Sequence, residues 1–275
     1  MHRGLDDSKM ISDKALLGNI GVALRKRAER HLTPILYLTT DNAAEMLGTG
    51  FYFNDGKANH LLTCEHVTRE GASRQLLLLF EGQEQTVFGP RSDTSQLPED
   101  LSLAAIEEEV WSLNVGGTSS GLTIDDISSA HCPVEGELLF FLGVPGYGST
   151  HIAHWSMTFA NAHPAILPEV PSLDCDPQFV FRLPYRPWEM EDVQGGRDEM
   201  PPDPHGFSGS LVWNTRYMEV TRQGGDWTPD AAQVTGMIQR WDSARAELMC
   251  CKCETIRAFI DYVLKTDPAT IPLKR

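Results

Sequence analysis

From residue 34 onward the apolar residues of this chain come in short runs of strand length: 35–40, 50–53, 60–64, 75–80, 85–88 and 101–106, then 137–143, 151–160, 179–183, 210–214 and 233–241. Runs of this length separated by turn signals such as Asn54-Asp55-Gly56 predict antiparallel strands in a sandwich or barrel, not alternating βαβ units. A Gly-, Ser- and Asp-rich stretch at 114–129 suits a connection between two β units. Helical period appears only at the ends. At 12–30, Leu16, Leu17, Ile20 and Leu24 are the apolar positions, Ser12 or Asp13 is a possible cap, and Arg25, Lys26, Arg27 and Arg30 complement the C-terminal end of the dipole. Ile256, Phe259, Ile260, Val263 and Leu264 follow i, i+3, i+4, i+7, i+8 spacing, which predicts a final helix packed on the second unit. The 275 residues suffice for a substantial core. The predicted organisation is a helical extension at 1–33, β units at 34–115 and 116–255, and a C-terminal helix and tail at 256–275, with long loops at 184–205 and 217–232.

Within this all-β pattern, Gly206-Phe207-Ser208-Gly209-Ser210 offers a serine in a Gly-rich turn, and the last histidine of the chain is His205. A serine hydroxyl is a poor nucleophile until a base within hydrogen-bond reach takes its proton, and the imidazole must itself be held in one tautomer. Any base for Ser208 therefore lies upstream, which excludes the serine, acid, histidine order of elbow-type hydrolases. His205 sits too close on the same tight turn to aim at Ser208. The best upstream pair is His66, in Leu62-Thr63-Cys64-Glu65-His66-Val67, and Asp100, in Asp100-Leu101-Ser102-Leu103; both adjoin strand-like runs. The rivals His31 and His60 lack the Thr-x-x-His-Val context, and Asp93 is followed by Thr-Ser-Gln rather than an apolar strand.

Composition narrows the partners. A net charge of -15 argues against general binding to nucleic-acid phosphate, which needs clustered Lys and Arg. The first eight residues are polar and acidic where a secretory signal would be apolar, and no apolar run reaches spanning length, so a cytoplasmic protein is expected, with no membrane partner. The basic end of the first helix is read as a dipole complement. The six cysteines are expected to be thiols. Cys250-Cys251-Lys252-Cys253 has no second ligand pair for a tetrahedral zinc site and reads as buried thiols at a strand end, so neither metal nor cofactor is expected.

Several landmarks, taken in order, resemble the trypsin-like (chymotrypsin-fold) serine proteases, and most closely the bacterial Deg/HtrA-type protease domain, over roughly residues 34–262. Gly48-Thr49-Gly50-Phe51 looks like the family's Gly-Ser/Thr-Gly-Phe strand. Leu62-Thr63-Cys64-Glu65-His66-Val67 is similar to Leu-Thr-x-x-His-Val, and Asp100-Leu101-Ser102-Leu103 to Asp-Leu-Ala-Leu. The run from Gly136 to Gly143-Val144-Pro145-Gly146 resembles a strand ending in Gly-x-Pro. Gly206-Phe207-Ser208-Gly209-Ser210-Leu211-Val212 resembles Gly-Asn-Ser-Gly-Gly-Pro-Leu, and Val234-Thr235-Gly236-Met237-Ile238 the strand that pairs with substrate.

The resemblance implies two antiparallel six-stranded β-barrels of chymotrypsin type with the site between them, and peptide-bond hydrolysis; no PDZ domain is expected. It implies that His66 is the general base and then acid, that Asp100 orients its ring, and that Ser208 attacks the scissile carbonyl. Backbone N–H groups of Gly206 and Ser208 would form the oxyanion hole, and Gly236, Met237 and Ile238 the substrate strand. Phe207 stands where the family has Asp or Asn, so activation through a cleaved N-terminus is not expected, and Ser210 stands where it has Gly. These two departures motivate a second reading, a catalytically degenerate scaffold that binds peptides by strand addition. The expected partner is a protein or peptide substrate, with a regulatory protein as a further candidate.

Overall fold

Local sequence accounts for how the chain enters the first sheet. In this computed structural model the described residues are 14–38, 44–71, 76–81, 86–88, 100–146, 150–152, 157–159, 163–169, 179–186 and 204–266. Helix α1 (Lys14–Ala28) buries Ile20, Leu24 and Ala28, one residue per turn, and ends in Arg25, Lys26 and Arg27. The expected caps Ser12 and Asp13, the rival Asp93 and Cys175 lie outside the described residues. A 3-10 turn (Glu29–His31) leads into β1 (Leu32–Leu38), β2 (Ala44–Asn54) and β3 (Asn59–Thr63). At the β2–β3 turn, Asn54 Oδ1 accepts the Gly56 N–H, and Asp55 Oδ1 accepts those of Lys57 and Ala58, as the Asn-Asp-Gly signal predicts.

Helix α2 (Glu65–Gly71), β4 (Leu76–Leu79), β5 (Thr86–Phe88) and β6 (Ser102–Ala105) complete this unit, whose strands lie in the order β5-β4-β1-β2-β3-β6. The chain crosses over between residues 122 and 127. Leu122 is still bonded to β2, its N–H to the Tyr52 carbonyl and its carbonyl to the Asn54 N–H, whereas Ile127 bridges to Val234 in the second sheet.

The second unit contains β7 (Leu139–Gly143), a separate β8 (Thr150–Ile152) and β9 (Met157–Phe159) hairpin, β10 (His163–Leu167), β11 (Val180–Pro184) and β12 (Leu211–Asn214). It continues through α3 (Tyr217–Arg222), β13 (Gln233–Asp242), β14 (Glu247–Lys252) and α4 (Cys253–Lys265). Its sheet order is β10-β7-β12-β13-β14-β11, antiparallel throughout. Along β7 the side chains alternate between two buried clusters: Leu138, Phe140 and Leu142 join the large core, while Leu139 and Phe141 join a second core with Phe181, Phe207 and Ile238. Burial on both faces explains why this run is uninterruptedly apolar.

The molecule is mostly β, with two six-stranded antiparallel sheets in a chymotrypsin-like arrangement and helices at the two ends. Three details depart from the sequence reading. The run 151–160 holds two paired strands, β8 and β9, rather than one; strand β10 has no counterpart in the predicted runs; and the stretch 217–232, expected as loop, begins with α3. The amphipathic stripe of α4 does bury Ile256, Phe259 and Ile260 against β13 and β14. Among the described residues no helix is long and apolar enough to cross a membrane.

Candidate active site

The β3–β6 ladder brings His66 and Asp100 together by register. Its final rung pairs Thr63 with Ser102, and two residues further the Glu65 N–H reaches the Asp100 carbonyl at 3.2 Å. Residue 100 must therefore lie beside residue 66. Asp100 turns the chain at φ 48, a left-handed conformation that Asp adopts more readily than most residues because its short side chain bonds locally. Its carboxylate does so here: Oδ1 accepts the His66 backbone N–H at 3.0 Å, and the His66 Nδ1 lies 2.8 Å from Oδ2 and 3.1 Å from Oδ1. An Asp carboxylate against Nδ1 places the proton on that nitrogen and leaves Nε2 to accept. The His66 side chain is 34 % exposed and that of Asp100 14 %, so the imidazole faces solvent with the acid behind it.

Ser208 comes from the second sheet, on a loop whose peptide groups are almost all occupied. The His205 carbonyl accepts from Gly146 N–H at 2.7 Å, and the Gly206 carbonyl from Thr49 Oγ1 at 2.8 Å. Phe207 N–H donates to Pro204 and Ser210 N–H to Phe207; the Ser208 carbonyl accepts from Thr49 N–H, and Gly209 N–H donates to Ile238. Within Gly206–Ser210 two backbone N–H groups have no hydrogen-bond partner among the described residues, those of Gly206 and Ser208. In a trans peptide the N–H points opposite its C=O, so fixing the His205 and Phe207 carbonyls fixes the directions of these two donors.

Glycine is required where this loop turns. Gly206 and Gly209 have φ of 97 and 90, and a Cβ on Gly209 would stand 2.0 Å from the Thr49 carbonyl oxygen. Ser210, which stands where the family has Gly, does not have positive φ. Its buried Oγ has no hydrogen-bond partner among the described residues, and it faces Gly143, where a Cβ would approach it to 2.4 Å. Phe207 is fully buried, edge-on to Phe141 and Tyr185 with ring centroids 5.2 and 5.5 Å apart. Apolar packing anchors the loop here through a ring in the second core.

The Ser208 hydroxyl donates to the Gln239 carbonyl at 3.0 Å, and no hydrogen bond joins it to His66 among the described residues. The structure thus brings His66 and Asp100 into contact and leaves Ser208 turned toward β13. Gly236, Met237 and Ile238 require a correction: they are interior residues of β13, not a free edge. Gly236 and Met237 pair with Val212 and Leu211 on one side and Lys252 and Cys251 on the other. Ile238 N–H donates to Ser210, and its carbonyl accepts from Gly209 N–H and the Cys64 thiol. The β13 residue that accepts from the Ser208 hydroxyl is the next one, Gln239, at the bulge between Ile238 and Arg240. Sequence pattern carries no signal for that bulge, so the strand was placed too early. Thr49 and Gly146, which the sequence landmarks include without a site role, both bond the Ser208 loop.

Donor atoms of Cys64, His66 and Asp100 lie within 4.8 Å of one another, the one grouping among the described residues that could hold a metal ion. Burial, reinforced by the Asp100 charge, holds the Cys64 thiol protonated well above its ordinary range, and Nδ1 and the carboxylate are bonded to each other. The arrangement is that of a hydrogen-bonded acid–histidine pair. Cys250 and Cys251 point into different cores and Cys253 opens α4, so these three thiols do not converge. Burial raises the thiols of all three, that of Cys251 to about 12.

No protein-family model matches the chain, and no curated protein does. Among solved structures, the thermostable serine protease AL20 from an extremophilic microorganism matches at 11 % identity, with a TM-score of 0.51, over 88 % of this chain and 100 % of that one. The serine protease domain of the Sesbania mosaic virus polyprotein matches at 12 % identity, TM-score 0.45, over 85 % and 93 %. At these identities the likeness to AL20 shows the fold, that of chymotrypsin-like serine proteases, and no more; the weaker viral match adds nothing to it. Neither favours the Deg/HtrA branch.

Proposed function

We propose that this chain is a serine endopeptidase that hydrolyses peptide bonds of protein substrates through His66, Asp100 and Ser208. The observation that carries the proposal is the Asp100-bound imidazole of His66 together with a serine loop on which, among the described residues, only the N–H groups of Gly206 and Ser208 are unpaired. An acyl-transfer site needs a nucleophile, a base in one tautomer and two donors aimed at the developing oxyanion.

In the proposed reaction Ser208 leaves the Gln239 carbonyl and donates to His66 Nε2. Its oxygen attacks the scissile carbonyl as Nε2 takes its proton, and the oxyanion is held by the Gly206 and Ser208 N–H groups. Nε2 then gives that proton to the departing amine, leaving an acyl-enzyme that water hydrolyses by the same steps. Asp100 fixes the ring and stabilises the imidazolium. No cofactor enters this scheme. Its partner is a protein or peptide substrate, with a regulatory protein as a possible second. A cytoplasmic location accords with the five free thiols among the described cysteines.

One observation favours a second reading, a degenerate peptide-binding scaffold: the hydroxyl donates to Gln239 rather than His66. Incubation of the purified protein with an unfolded protein such as casein distinguishes the two. Fragments formed by wild type and absent with Ser208→Ala or His66→Ala support the endopeptidase; equal fragment patterns from wild type and both variants, or no fragments, refute it.

A further inference from the structure

We propose that Thr49 is a positioning residue that steadies the oxyanion-hole donors by holding the peptides next to theirs, acting through the nucleophile loop without touching substrate; the catalytic consequence rests on the endopeptidase reading. Thr49 belongs to the Gly-Thr-Gly-Phe stretch of β2 and is fully buried. All of its polar atoms are engaged. Its N–H donates to the Ser208 carbonyl at 2.9 Å, and its hydroxyl donates to the Gly206 carbonyl at 2.8 Å and accepts from the Val144 N–H at 2.9 Å. Its carbonyl accepts from Thr63 Oγ1 at 2.7 Å, on the strand that leads into His66.

The hydroxyl sits where three segments meet: β2 of the first sheet, the nucleophile loop, and the chain leaving β7. The two unpaired N–H groups belong to the 205–206 and 207–208 peptides. The peptides that follow each of them, 206–207 and 208–209, have their carbonyls on Thr49. Gly206 lacks a side chain to restrict the peptide on its C-terminal side, which is held by the Phe207 N–H on the Pro204 carbonyl and by its own carbonyl on Thr49 Oγ1. The second of these bonds ties that peptide to the first sheet. Only a side chain with one donor and one acceptor on the same oxygen serves Gly206 and Val144 together, which Ser or Thr provides and Val does not.

The test compares wild type, Thr49→Val and Thr49→Ser by hydrogen exchange of the 204–210 segment, read by mass spectrometry, and by hydrolysis of a peptide substrate. Thr49→Val is expected to speed exchange in that segment. It is also expected to lower kcat about 10- to 100-fold, short of the loss seen on removing a donor outright, with KM within about 2-fold. Thr49→Ser is expected to restore both. Exchange in Thr49→Val equal to wild type overturns the proposal, as does a fall confined to KM. If the wild type shows no Ser208-dependent turnover, the endopeptidase reading fails; the exchange comparison still decides whether Thr49 holds the loop. Should Thr49→Val fail to fold, exchange and kcat in Thr49→Ala, set against Thr49→Ser, decide in the same way.

Discussion

Phe207 shows how one side chain can replace an electrostatic anchor with a packing one. Its ring fills the space between Phe141 and Tyr185, and the peptide it carries presents the Ser208 N–H. Phe207→Ala should cost about 3–5 kcal/mol, the usual loss for a buried phenylalanine. Phe207→Leu should cost less, because it keeps most of the apolar volume. Denaturant midpoints of the two variants against wild type check this; equal midpoints would mean the ring is not an anchor.

His31 makes a second prediction at this scale. Its Nδ1 lies 2.7 Å from the Ser120 carbonyl, and burial holds the imidazole below its ordinary value of 6.5. The unfolded chain then binds the proton more readily than the folded one. This residue's contribution is therefore intact above pH 6.5 and is lost as pH falls through the lowered folded value. Urea midpoints should decline between pH 7.5 and 5.5, with a shallower decline in His31→Gln; parallel declines would contradict the assignment.

At the scale of elements, α1 is fastened to the second sheet before the chain begins the first. Arg27 donates to the carbonyls of Pro229 and Ala232, pairs with Asp126 and lies over the Trp213 ring at 5.1 Å. Partly buried charge-assisted bonds of this kind contribute more than surface pairs. Arg27→Met, which keeps the stem but none of the donors, should lower the melting temperature by several degrees, about 2–4 °C per kcal/mol lost in a protein of this size. An unchanged melting temperature would show that α1 adds nothing to the second unit.

The sequence made this level legible where periodicity was clear. Apolar runs of strand length located most strands, and the 3.6-residue stripe of α4 located its buried face. It was silent where an element is short or a register slips. α2 and α3 have 7 and 6 residues, too few for a period to be read. The displacement from Ile238 to Gln239 arises from a bulge, which pairing decides and composition does not. At the site, His66, Asp100 and Ser208 were legible because nucleophile chemistry limits the residue types and the last histidine limits the order. Thr49 was not, because a threonine in a strand has an ordinary structural explanation.

For the whole molecule, the candidate site is a joint between two sheets. His66 and Asp100 are set by the β3–β6 register of the first, and Ser208 by a loop between β11 and β12 of the second. Thr49 and Cys64 cross the joint, bonding to Gly206, Ser208 and Ile238. The fold likeness at 11 % identity fits this division, since sheet order and register can persist while packing residues such as Phe207 and Ser210 change. Fold alone does not supply activity. If Ser208 is a nucleophile made reactive by His66, intact-mass measurement after treatment with a fluorophosphonate will show a single phosphonyl adduct, mapped by peptide sequencing to Ser208 and absent or strongly slowed in His66→Ala. No adduct on the folded wild type, or an adduct at Ser208 formed as fast without His66, would contradict that role.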